Sequence, residues 1–191
     1  MTAFQKLLTT LLRVQSVISV PHSLILPRRK RRVTSSADGY IFGQDFLNGR
    51  LYLAKESLTA CESAAVHNAL IYFGRGQTFG AVKREFFRRG ALTLWLVGFF
   101  GGNPYSITRV LRSFGIAFET VAAGEMSRDG AYIISFFNGR HPSLHTVFCT
   151  RENGRWMSYN MHGGDRRPMP FDPSKLENSF IIGYRLESSA S

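Results

Sequence analysis

Apolar residues recur at helical spacing in the first half of the chain and gather into short runs in the second half. The helical stretches end near Gly74, Gly90 and Gly115, and glycine is common just past a helix end. The later runs have strand length and composition, and Asn-Gly within residues 151–154 predicts a hairpin. Helices followed by an antiparallel sheet predict an α+β fold. The predicted strands are Ile116–Val121, Ala131–Phe137, Leu144–Thr150, Arg155–Asn160 and Phe180–Leu186.

Two helix starts carry recognisable capping signals. Residues 59–62, Thr-Ala-Cys-Glu, fit the S/T-x-x-E capping box that opens many helices. Thr59 is therefore predicted as the N-cap, Cys61 as the second helical residue and Glu62 as the partner that turns back toward the Thr59 N–H. A later helix is predicted to begin at Asn103, because an N-cap asparagine followed by proline is a common start.

Residues 1 to 38 form a basic, partly amphipathic extension, and residues 39 to 191 form the folded domain. The extension contains the run Arg28–Arg32 and ends in a polar stretch typical of a linker. Its first part predicts a helix that docks on the domain, lies on a membrane or stays loose, and the sequence leaves these three open. The apolar residues of that helix, taken as one broad stripe, are Phe4, Leu7, Leu8, Leu11, Leu12, Val14 and Ile18.

Composition limits the classes of protein to which the chain can belong. Its net charge is +11, which either attracts an anionic partner or membrane surface or forms a solvated basic surface. No specific nucleic-acid motif is present. Two cysteines are not a disulfide framework, although a single bridge between Cys61 and Cys149 stays open. With no apolar run of membrane-spanning length and no secretory signal, we expect a cytoplasmic protein, with peripheral membrane attachment as the variant.

Three distant residues have the chemistry of a thiol nucleophile and its helpers. Cys61 opens a helix, where unpaired N–H groups and the helix dipole are expected to lower the thiol pKa and to hold an oxyanion. His145 lies in a strand and is suited to take the thiol proton. Asn160 ends the next strand and is suited to orient the imidazole. The sequence therefore predicts a catalytic set of Cys61, His145 and Asn160.

Two other kinds of site compete with this set. His141, His145 and Cys149 are spaced for one helix face, but Pro142 argues against a helix there. On a strand the outer two of these residues would lie about 13 Å apart, too far for one zinc ion. The glycine-rich residues 98–104 lack the Lys-Ser/Thr ending of a phosphate-binding loop and favour a structural turn. We therefore expect no metal and no cofactor.

The order and spacing of these residues resemble the papain-like cysteine peptidase superfamily, especially the bacteriocin-leader-processing type and related bacterial domains. In that type a cysteine opens the first long helix, a histidine starts a strand about eighty residues later, and an aspartate or asparagine ends the next strand. Cys61, His145 and the Asn160-Met-His-Gly stretch match this pattern over roughly residues 50 to 186. The resemblance implies a nucleophile helix packed on a C-terminal antiparallel sheet and hydrolysis of a peptide or amide.

The chain also departs from that pattern. Active relatives place a glutamine several residues before the cysteine as an oxyanion donor, whereas Lys55 and Glu56 stand there and the nearest upstream glutamine is Gln44. The residue after the cysteine is Glu62 instead of glycine or an aromatic residue. Two functions follow as hypotheses. The chain is a cysteine hydrolase with a Cys-His-Asn triad, or it is a papain-fold binding module with little or no turnover and a basic N-terminal extension.

Overall fold

A computed structural model describes residues 1–18, 39–43, 47, 50–51, 54–93, 101–139, 143–161 and 167–188. The α-helices in this part of the chain are α1 (Ala3–Val17), α2 (Glu56–Thr59), α3 (Cys61–Tyr72), α4 (Phe79–Arg88) and α5 (Ile107–Ser113). The strands are β1 (Arg50–Leu51), β2 (Ala54–Lys55), β3 (Ile116–Val121), β4 (Gly130–Phe137), β5 (Leu144–Glu152), β6 (Arg155–Ser158), β7 (Met169–Pro170) and β8 (Phe180–Ser188). Short 3₁₀ segments occupy Pro104–Ser106, Ala123–Glu125 and Pro173–Leu176.

Six strands form one antiparallel sheet in the order β3-β8-β4-β5-β6-β7, and β1 pairs with β2 in a separate small hairpin. The predicted α+β class is confirmed, and each of the five predicted strands is present with its ends shifted by two residues at most. The predicted hairpin is also confirmed. Asn153 and Gly154 both have positive φ, as a type I′ turn between β5 and β6 requires.

The two faces of the sheet are covered differently. One face carries Ile133 of β4 and Phe148 of β5, and these pack with helices α3, α4 and α5 in the main core. The opposite face carries Tyr132 and Phe136 of β4 with Val147 and Cys149 of β5. Because side chains alternate along a strand, neighbouring residues of β5 belong to different cores.

Helix α3 is the central element of the main core. All residues from Cys61 to Leu70 are buried, so the helix has no solvated face in its first ten positions. Ala64, Ala65 and Ala69 are fully buried and let neighbouring elements approach closely. Asn68 fixes an incoming segment to this helix, because its side-chain amide bonds both the N–H and the C=O of Ile41.

The helix ends confirm some capping predictions and correct one. Asn103 accepts a hydrogen bond from the Tyr105 N–H, and Gly74 and Gly115 follow their helices with positive φ, as predicted. The capping box at residues 59–62 is wrong. Helix α3 begins at Cys61 after Ala60, which has no side-chain cap, and the Thr59 hydroxyl donates to Lys55 O within the preceding turn. Cys61 is therefore the first helical residue instead of the second.

Helix α1 docks on the domain through one side. Leu8 and Leu12 pack with Phe137 at the end of the sheet. The buried amide of Gln15 donates to Leu92 O, and Asn103 donates to Leu12 O. Of the three fates that the sequence left open, docking is thus observed for residues 3–17. The Arg28–Arg32 run lies outside the described residues. Among the helices that are described, none has both the length and the hydropathy needed to cross a bilayer.

Candidate active site

Cys61 lies at the N-terminal end of α3 with only 3% of its surface exposed. Its thiol donates a hydrogen bond to Glu62 Oε2 at 3.2 Å. Burial raises the pKa of the Cys61 thiol well above its usual value, and the neighbouring Glu62 carboxylate raises it further. Backbone groups of Thr146 and Glu62 lower the pKa, but as smaller effects. The expectation that the helix end lowers this pKa is therefore wrong, because desolvation and a carboxylate outweigh the helix terminus.

Glu62 is the residue whose role sequence reasoning missed. Its side chain is completely buried instead of turning back to Thr59. Besides the thiol, Oε2 accepts the Gly102 N–H at 3.0 Å, and Oε1 accepts the Thr146 hydroxyl at 3.4 Å. The Thr146 hydroxyl in turn lies 2.8 Å from that of Ser135 on β4. Burial raises the Glu62 pKa from its ordinary value of 4.5 to about 7, despite these donors.

A glycine pair closes tightly over the start of α3. A Cβ at Gly102 would lie 2.7 Å from Glu62 Cβ, and a Cβ at Gly101 would lie 2.2 Å from Thr59 O. Gly101 also has a positive φ of 72°. Only glycine fits both positions without displacing the backbone. The Gly-Gly step was predicted as a structural turn. The sequence signal for this buried contact was the Gly101-Gly102 pair, together with one acidic residue, Glu62, among the small residues that begin α3.

Asn160 lies beside Cys61 and holds the backbone of β5. Its Oδ1 accepts the Phe148 N–H at 2.8 Å, and its Nδ2 donates to Thr146 O at 2.7 Å and to Cys61 O at 3.4 Å. The residue is fully buried. These bonds tie the end of β6 and the first residue of α3 to the same part of β5. Both ends of the Asn160 amide are thus engaged by backbone groups.

His145 points to the other side of the sheet. It is buried, with 3% of its surface exposed, and its ring meets that of Phe136 edge-on at 5.7 Å between centroids. Phe136 belongs to the core opposite α3, whereas Thr146, the next residue, contacts Glu62. In the described contacts the structure joins Cys61 with Asn160 and leaves His145 outside that group. The catalytic role of His145 stays a prediction.

Cys149 lies apart from Cys61, Glu62 and Asn160. Both cysteines are free, and Cys149 is buried on the sheet face opposite α3, so the bridge that the sequence left open is absent. His141 of the metal alternative lies outside the described residues. Within the described ranges, no three His, Cys, Asp or Glu side chains are grouped to hold a metal ion.

Comparison with known proteins finds similarity in structure but none in sequence. No family model matches the chain, and no curated protein matches it. The chain is similar to the peptidase domain of Streptococcus ComA, a bifunctional ABC transporter involved in a quorum-sensing pathway. The TM-score is 0.48 with 9% identity, over 68% of this chain and 91% of that domain. A likeness of this size assigns no activity to the chain.

The raised pKa of Glu62 predicts a fall in stability with rising pH. An acid whose pKa is higher in the folded chain holds more protons when folded, so its stabilising contribution is full below pH 4.5 and is lost as pH rises through about 7. The loss amounts to about 3 kcal/mol at 1.36 kcal/mol per pKa unit. Urea unfolding between pH 5 and pH 8 should show this slope in the wild type and a much smaller one in Glu62→Gln. Glu177→Gln, at an exposed position, is the matched control and should keep the slope, and an equal slope in Glu62→Gln contradicts the prediction.

The contacts of Asn160 predict that aspartate cannot replace it. Asn160→Ala leaves buried backbone groups unpaired and should cost about 2–4 kcal/mol of unfolding free energy. At neutral pH Asn160→Asp places a carboxylate against the carbonyls of Thr146 and Cys61, so it should cost at least as much and recover in part toward pH 5. Denaturant titrations at pH 5 and pH 8, with Asn178→Asp as the exposed control, measure both effects. An Asn160→Asp protein as stable as the wild type at pH 8 would contradict the prediction.

Proposed function

We propose that the chain is a non-hydrolytic binding module on a papain-like architecture, in which Cys61 and Asn160 act as structural residues. One observation carries the proposal. The buried Cys61 thiol donates a hydrogen bond to Glu62 Oε2, and burial raises its pKa, so the sulfur stays protonated and shielded where a peptidase needs an exposed thiolate.

Access to the sulfur argues in the same direction. The side chains of Cys61, Glu62 and Asn160 are all buried, and Gly101 and Gly102 lie in close contact with the start of α3. A scissile carbonyl needs room about 3 Å from the nucleophile and from an oxyanion donor. The N–H of Gly102, a donor near the sulfur, is already bonded to Glu62.

The surface charge suggests the chemistry of the partner. The net charge of +11 favours an anionic partner over a neutral or cationic one. Long-range attraction of this kind also raises the rate at which the two molecules meet. Binding through this charge requires neither thiol chemistry nor a cofactor.

Hydrolysis of a peptide or amide by Cys61, His145 and Asn160 remains the second candidate. The contact between Asn160 Nδ2 and Cys61 O favours it, since it joins two of the three predicted residues across 99 positions of sequence. In that mechanism Cys61 attacks the carbonyl, His145 takes and returns the proton, and Asn160 orients the imidazole. This route requires Glu62 to release the thiol and His145 to reach it.

Alkylation kinetics distinguish the two functions. Iodoacetamide should modify Cys61 and Cys149 at similar, slow rates in the native protein and rapidly in denaturant, because both thiols are buried with raised pKa values. Peptide mapping by mass spectrometry after timed quenching measures each rate. His145→Ala should leave the Cys61 rate unchanged. Fast native labelling of Cys61 that slows in His145→Ala would overturn the binding-module proposal and favour the hydrolase.

A further inference from the structure

Helix α1 presents a second apolar surface that the domain does not cover. The side chains of Phe4, Leu7 and Val14 are 56%, 57% and 54% exposed, although other residues of the same helix are buried on the domain. Leu11 is half-buried, and Ile18 follows the helix with 64% of its surface exposed. We call these five residues, Phe4, Leu7, Leu11, Val14 and Ile18, the outer stripe.

The spacing of the outer stripe makes it continuous. Steps of three, four, three and four residues keep its members on one side of a helix. The buried side is formed by Gln5, Leu8, Leu12 and Gln15. The helix therefore has two apolar strips, one docked on the domain and one exposed on its outer side. A contiguous exposed apolar strip of this kind marks an interaction surface.

The charges beside the outer stripe are all positive. Lys6 and Arg13 are the charged side chains of residues 1–18, and no acidic residue occurs before Asp38. Seven lysines and arginines lie within the first 37 residues. Arg13 also covers the ring of Tyr105, with its guanidinium carbon 5.3 Å from the ring centroid. Apolar side chains flanked by basic ones are suited to the boundary between acyl chains and anionic headgroups.

A second copy of the chain fits the same surface less well. The outer stripe follows a heptad-like pattern, but it covers only about two heptads, and sustained pairing needs at least three. Two such helices would also bring Lys6 and Arg13 together without acidic partners, which like-charge repulsion disfavours.

We propose that α1 docks the protein on an anionic lipid surface through its outer stripe, with Lys6 near the lipid phosphates. The inference specifies the anionic partner of the binding module and in that sense rests on the proposed function. The sulfur of Cys61 takes no part in lipid binding. The alkylation experiment therefore tests the proposed function, and vesicle binding tests this inference independently of it.

Vesicle co-sedimentation of the full chain tests the proposal. The wild type should bind vesicles that contain phosphatidylserine, bind phosphatidylcholine vesicles much less, and lose affinity as salt is raised. Leu7→Gln combined with Val14→Gln should weaken the partition by about tenfold or more, because two apolar side chains no longer enter the interface. Lys6→Gln should weaken it by about fivefold, the effect of one basic residue near such a surface.

Thr9→Gln is the matched control. Thr9 lies across the helix from the outer stripe, and its substitution should leave vesicle binding unchanged. Circular dichroism and thermal unfolding should show that each variant keeps the fold, since none of these substitutions removes a buried side chain of α1.

Three results would overturn the proposal. The wild type fails to bind the anionic vesicles, the Leu7→Gln/Val14→Gln protein binds them as well as the wild type, or binding is equal without phosphatidylserine. Sedimentation velocity without vesicles tests whether a second copy of the chain binds the outer stripe instead. A dimer that the double variant abolishes would replace the lipid surface by a second copy of the chain.

Discussion

The buried carboxylate of Glu62 is the group around which the start of α3 is arranged. A carboxylate without solvent needs several donors, and here they come from the adjacent thiol, the Gly102 N–H and the Thr146 hydroxyl. These donors belong to the helix itself, to a loop and to the central strand β5. Satisfying one charge therefore sets the positions of three segments, and it fixes the thiol as a donor.

The alternation of side chains along β5 has the largest consequence for function. Thr146 contacts Glu62 of α3 and Phe148 packs in the main core, whereas Val147 belongs to the opposite core and His145 contacts the ring of Phe136 there. A shift of one residue in the register of this strand would exchange the two sets. Asn160 stabilises the observed register, because it bonds Thr146 O and the Phe148 N–H at once. The residue predicted to orient the imidazole is thus engaged with backbone groups of β5 and α3.

Helix α1 illustrates how one sequence pattern serves two surfaces. The apolar residues of its sequence were predicted as a single broad stripe, but packing divides them. Leu8 and Leu12 join the domain core, and Phe4, Leu7 and Val14 stay outside it. The buried glutamines at the edges of the docked side, Gln5 and Gln15, fix the rotation of the helix by bonding backbone carbonyls of the domain. That rotation decides which apolar residues remain available to a partner.

Local signals in the sequence determined the α+β class, the five main strands, the hairpin at Asn153-Gly154 and the helix ends at Gly74 and Gly115. Such features depend on residues close in the chain, whose conformational preferences act before any distant contact forms. The sequence also selected Cys61 and Asn160, which the fold brings together. The sequence pattern wrongly predicted Glu62 as the capping partner of Thr59, because the same Thr-x-x-Glu pattern is compatible with a glutamate that is buried and accepts hydrogen bonds from distant residues. Only the tertiary structure decided that the carboxylate turns inward and that His145 packs against Phe136, since burial and strand register depend on partners far along the chain.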